Sequence, residues 1–146
     1  MKHTLARTAL GAAALDLALK LIPLGADRTL IPGVLGLTRA ENRGVAFGLL
    51  SGSPLFNLAV TSLLIAGLGF WLSRQTLTRF EALAAGLMLG GALGNVIDRV
   101  TTGYVVDFIA LELLPFFPIF NLADVALVGG MVWMLAVDLW THRRNP

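Results

Sequence analysis

Residues 82–99 read ALAAGLMLGGALGNVIDR. From Ala82 to Ile97 the run is apolar apart from Asn95, and Asp98 and Arg99 close it. A helix rises about 1.5 Å per residue, so these sixteen residues cross most of a ~30 Å hydrocarbon layer. Lipid offers backbone N–H and C=O groups no partners, so such a run must be helical. Gly86, Gly90 and Gly94 share one helix face, with Gly91 beside them. That spacing permits close helix–helix approach, within one bundle or between two chains, and carries no chemistry.

Working outward, three further apolar runs span about 8–24, 55–72 and 119–140, and the four are roughly 16 to 22 residues long. Each suits a membrane-crossing helix with some tilt. Between them stand turn signals: Pro23, Gly25, Pro32, Gly33 and Gly36, then Ser51-Gly52-Ser53-Pro54, then Pro115 and Pro118. The chain has 146 residues, 56% hydrophobic and only 14% charged. Soluble domains carry about a quarter charged residues, so neither a soluble enzyme nor a disordered chain is expected. The expectation is a single all-α membrane domain over 1–146. With no cysteine there are no disulfides, thiolate metal sites or thiol catalysis. A net charge of +2 spread over the whole chain is no nucleic-acid footprint.

Lys2, His3 and Arg7 ahead of Ala12-Ala13-Ala14 imitate a secretory signal. The run continues to Leu24, however, and carries Asp16 and Lys20, which a disposable leader does not need. Lys2, Arg7, Arg74, Arg79, Arg143 and Arg144 fall on one side of a four-span chain. The positive-inside rule makes that side cytoplasmic, with both termini there. Trp71 and Trp140 then anchor at the cytoplasmic headgroups. Arg28, Arg39 and Arg43 in the first outer loop weaken the asymmetry without reversing it.

The remaining polar residues gather at the outer ends of the spans: Asp16 and Lys20, then Asn95, Asp98 and Arg99, then Asp107, Asn121 and Asp124. Asp138 is the exception, at the cytoplasmic end of the fourth run. An ionisable group in hydrocarbon costs roughly 2.5–3.5 kcal/mol on insertion scales. Asp16 and Lys20, four apart, share a helix face as a self-neutralising structural pair, as substrate contacts or as direct catalysts. Asp98 and Arg99 read either as interfacial residues pairing locally, or as a polar pocket in which Arg99 orients carboxylates or backbone. Asp107 and Asp124 have no cation within four residues. If they meet, repulsion and low dielectric leave one proton on the pair, which supplies an acid and a base at one pH. That suits activation of water against a carbonyl. Proton-coupled transport by a small transporter or channel subunit, and a purely structural role, remain open readings of the same acids. Serine chemistry lacks a base, because His3 and His142 lie at the cytoplasmic ends. A carboxylate-only metal site at Asp98, Asp107 and Asp124 is not favoured by their spacing, and no metal is expected.

At these residues the chain resembles the lipoprotein signal peptidase, or signal peptidase II, family. The resemblance runs in order through Asp16 and Lys20, Asn42-Arg43-Gly44-Val45-Ala46-Phe47, residues 90–99, Gly103-Tyr104-Val105-Val106-Asp107-Phe108 and Phe120-Asn121-Leu122-Ala123-Asp124. It implies an aspartyl endopeptidase of the bacterial cytoplasmic membrane, free of metal or organic cofactor. Its substrates are prolipoproteins, cut just before a diacylglyceryl-modified cysteine. Asp107 and Asp124 are then the catalytic pair. Asn42, Asn95, Asp98, Arg99, Asn121 and Ala123 line or support the site, with Asp16 and Lys20 in the polar network. The resemblance also implies four transmembrane helices, a small extracytoplasmic β-cradle in the first outer loop and an active site at the outer face. Membrane lipid is an expected partner and nucleic acid is not. A monomer is expected, although the sequence leaves the oligomeric state open. Val45 stands where the family motif usually has Ala, which puts the neighbouring pocket shape in doubt. Phe116 and Phe117 are expected to dip into the interface and clamp the acylated substrate, or else to pack on the helices.

Overall fold

A computed structural model describes residues 1–23, 25, 27–44, 53–114 and 116–144. The motif residues Val45, Ala46 and Phe47 and the turn residue Pro115 lie outside the described residues, as do the side chains of His142, Arg143 and Arg144. The order is α1 (Lys2–Lys20), β1 (Arg28–Ile31), β2 (Leu35–Asn42), α2 (Pro54–Ser73), α3 (Arg79–Thr102), β3 (Val105–Ala110) and α4 (Leu122–Arg144).

Local chemistry fixes the helix ends. α1 stops at Lys20 because Pro23 disfavours a helical Ile22. α2 opens on Pro54, where a missing N–H is harmless. α3 begins in a capping box: the Thr78 N–H donates to Glu81 Oε2 at 2.6 Å and the Glu81 N–H to Thr78 Oγ1 at 3.3 Å. It ends at Gly103, whose φ of 83° is left-handed and closes the last turn without a Cβ penalty. α4 starts at Leu122 and not Ile119 because Phe120 is taken by β3, bridging Ile109 in an antiparallel pair.

Three helical stretches are long and apolar enough to cross a membrane: Leu55–Ser73, Arg79–Thr102 and Leu122–Trp140. α1 falls short of that composition because Lys2, Arg7, Asp16 and Lys20 crowd its 19 residues. The three-stranded antiparallel sheet runs β1-β2-β3. It is not confined to the first loop as expected, since β3 comes from the segment after α3. β2 pairs β3 with Ala40 opposite Asp107 and Asn42 opposite Val105. Asp107 therefore sits on a strand and not in a loose loop.

α3 packs between α1 and α4. The glycines work inside one chain: a Cβ at Gly86 or Gly90 would meet Leu5, Thr8, Ala9 or Ala12 of α1. At Gly91 it would collide with the Ala123 carbonyl at the start of α4. α2 packs on α3, and its backbone stands apart from that of α4 among the described residues.

Candidate active site

Three polar ends converge where α1 and α3 finish and α4 begins. Lys20 Nζ lies 2.6 Å from Asp16 Oδ2 and 2.8 Å from Asp98 Oδ2, and donates to Asn95 Oδ1 at 3.3 Å. Asp16 Oδ1 accepts the Ala123 N–H at 2.9 Å, which places a carboxylate on the positive end of α4. Asp98 Oδ2 accepts the Val106 N–H at 3.0 Å and so anchors β3. One buried lysine thus pairs with two acids and ties α1 to α3, while each acid reaches on to a backbone N–H.

Asn121 forms the hub. Its Nδ2 lies 2.7 Å from Asp107 Oδ1 and 3.1 Å from Asn95 Oδ1. Its N–H donates to Asp124 Oδ2 at 3.2 Å, and its Oδ1 accepts the Asp124 N–H at 2.9 Å. Asn121 and Asp124 are thus the N-cap and third residue of α4 in a reciprocal cap. The remaining carboxylate oxygens are also held: Asn95 Nδ2 donates to Asp124 Oδ1 at 2.7 Å and Asn42 Nδ2 to Asp107 Oδ2 at 2.9 Å. Neither acid forms an ion pair among the described residues. Asp107 is 2% exposed. Burial pushes its carboxyl up to about 6, against the amide bond from Asn42 and with the nearby Asp124 charge adding to the rise.

Arg99 does not pair with Asp98. Its guanidinium donates to the carbonyls of Asn95 at 3.3 Å and Gly44 at 3.0 Å. A cavity of about 760 Å³ runs from this cluster along the gap between α2 and α4. Asn42, Asn95, Arg99 and Asp124 form its polar end, and Leu64, Ile65, Leu68 and Val128 are among the apolar walls. Asp124 lines the cavity, and Asp107 is hydrogen-bonded to Asn42, another of its lining residues.

Residues 8–141 match the signal peptidase (SPase) II family. The lipoprotein signal peptidase of Syntrophomonas wolfei is 44% identical over 119 residues, covering 82% of this chain and 78% of that one. The lipoprotein signal peptidase of Anoxybacillus flavithermus is 38% identical over 131 residues, covering 88% and 77%. The chain belongs to the signal peptidase II family. A bacterial membrane enzyme solved by the in meso method at 2.3 Å resolution superposes with a TM-score of 0.85 at 33% identity, covering 99% of this chain and 92% of that one. The protein is therefore a membrane peptidase, and the transporter alternative finds no support in these relatives.

All ten residues singled out in the sequence belong to this one cluster. Ala123 contributes its N–H and its small size, being fully buried against α3. Three contributors were not singled out for it. Gly44 donates its N–H to Asn42 Oδ1 at 3.0 Å. Arg39 donates to the Lys20 carbonyl at 3.2 Å, and Asn57 Nδ2 to the Arg43 carbonyl at 2.8 Å. Only Asn57 left a signal, as a lone amide inside an apolar run.

Proposed function

We propose that this chain is an aspartyl endopeptidase that removes the signal peptide from diacylglyceryl-modified prolipoproteins, cutting on the N-terminal side of the lipidated cysteine. One observation carries the reading: two carboxylates from β3 and α4 are bound to the same Asn121 at the polar end of an otherwise apolar groove. A signal peptide is an apolar helix, so it reaches such a groove sideways through lipid, and its acyl chains stay in the bilayer.

In this mechanism Asp107 and Asp124 share one proton. The ionised carboxylate takes a proton from water, the water oxygen bonds to the scissile carbonyl carbon, and the protonated partner donates to the carbonyl oxygen. The roles then exchange: the C–N bond breaks and the departing amine takes a proton. Asn42, Asn95 and Asn121 aim N–H donors at both acids and keep their oxygens in place. Asp16, Lys20 and Asp98 hold the helix ends that carry them, and no metal or organic cofactor takes part.

We further propose that α1 is a fourth span, since the Asp16–Lys20 pair lowers the cost of crossing. Arg74 and Arg79 then face the cytoplasm with both termini. The cluster, at the opposite helix ends, faces outward from the bacterial inner membrane with the sheet as a cradle above it. The working unit is a monomer, because the α3 glycines are occupied within the chain.

The test is to offer a diacylated prolipoprotein to purified wild type, Asp107→Asn and Asp124→Asn in detergent. Wild type cleaves before the modified cysteine. Each amide variant loses about two to four orders of magnitude in rate, the share of general acid–base catalysis. Undiminished cleavage by either variant sinks the dyad.

A further inference from the structure

Asn57 lies on the first turn of α2 and is 1% exposed. Its Nδ2 donates to the Arg43 carbonyl at 2.8 Å, and that acceptor fixes which end of the amide is the NH2. Its Oδ1 has no hydrogen-bond partner among the described residues. An amide is costly to bury, and a leucine fills the same volume.

The next peptide leads to the dyad. The Gly44 N–H donates to Asn42 Oδ1 at 3.0 Å, and its carbonyl accepts from Arg99 at 3.0 Å. With its oxygen occupied, the Asn42 amide turns its NH2 toward Asp107 Oδ2 at 2.9 Å. The Arg43–Gly44 segment is thus gripped by α2 through Asn57 and by α3 through Arg99.

We infer that Asn57 is a positioning residue for Asp107: it pins the Arg43–Gly44 segment so that Asn42 presents its donor to that carboxylate. The inference rests on reading Asp107 as one of the two working acids. The charged groups within reach of Asp107 are Asp124 from α4, Lys20 from α1 and Arg99 from α3, while β2 contributes the neutral Asn42. The Asn42 bond favours the ionised form of Asp107, so loosening it raises the titration midpoint.

The experiment follows the Asp107 carboxyl by infrared titration of the whole protein labelled with ¹³C-aspartate, assigned by the band lost in Asp107→Asn. Asn57→Leu removes the donor at equal volume, and Asn57→Ser is a smaller second variant that keeps the site polar. Each raises the midpoint by about 0.5 of a pH unit in the wild-type background and leaves it unmoved in Asn42→Leu. Cleavage by the single variants falls about three- to tenfold, the factor carried by one neutral hydrogen bond. An unmoved midpoint, or the same rise in both backgrounds, overturns the inference. A wild type that fails to cleave strikes the proposed function alone, since the titration does not depend on turnover.

Discussion

Asn121 and Asp124 cap one another at the start of α4, each side chain accepting the other's backbone N–H, at 2.9 and 3.2 Å. The capping geometry that starts the helix therefore also fixes the orientation of a carboxylate facing the cavity. Asn121→Ser keeps a capping oxygen and loses the donor to Asp107, whereas Asn121→Ala loses both. Both variants are expected to lose cleavage by at least about tenfold. Only the alanine variant gives up a further ~1 kcal/mol of helix-cap stability. Thermal melts in detergent beside single-turnover assays separate the two effects.

Asp107 makes stability depend on pH. Its folded carboxyl is raised to about 6 from an ordinary 3.8, so the folded state holds this proton more tightly. The stabilisation is complete below about pH 4 and lost as pH rises through about 6. Two pH units are worth at most about 3 kcal/mol. The gap in melting temperature between Asp107→Asn and wild type should widen from pH 4 to pH 8 in favour of the variant. A gap independent of pH contradicts the raised value.

Lys20 holds two buried carboxylates, so Lys20→Met strands Asp16 and Asp98. Breaking such a set costs about 3–5 kcal/mol, whereas removing every charge is far cheaper. The triple variant Lys20→Met, Asp16→Asn, Asp98→Asn is therefore expected to melt above the single variant. Differential scanning fluorimetry in detergent decides, and the reverse order refutes the argument.

Gly91→Ala drives a methyl group into the Ala123 carbonyl, where backbone must yield. Overpacking of this kind costs about 1–3 kcal/mol, and the shift falls on the turn that carries Asp124. Gly69, with open space around it, is the control. Gly91→Ala should lower both melting temperature and cleavage rate, and Gly69→Ala neither.

Phe116 is 99% exposed, while Phe117, at 44%, lines the cavity and stands edge-on to Phe120. Phe117→Ser is expected to raise KM for the acylated substrate several-fold, the loss of one apolar contact. Phe116→Ser is expected to raise it less. Equal and unchanged KM values remove the clamp.

The α2, α3 and α4 helices were legible because apolar length alone dictates them. Their ends were less so: α4 begins only after Phe120, which pairs with β3, a long-range event with no local signal. The strand itself left a hint in the β-branched Val105-Val106 ahead of Asp107, easily taken for a loop beside so many helices. Asp107, Asp124, Asn95 and Asn121 stood out because polar groups at span ends are expensive. That Lys20 serves Asp98 and leaves Arg99 to backbone carbonyls was not legible. Adjacent residues on a helix point different ways, and only the packing of α1 on α3 decides the partner.

The gap between α2 and α4 is a trough with one polar end. Between the helices its sides are mostly apolar, with Leu64, Ile65, Leu68 and Val128 among them, so any greasy rod of suitable girth satisfies that stretch equally well. Discrimination among ligands then falls to the single spot where the trough meets the amide and carboxyl groups. An inhibitor gains selectivity by matching that terminus with polar groups, and length added along the trough brings adhesion without choice.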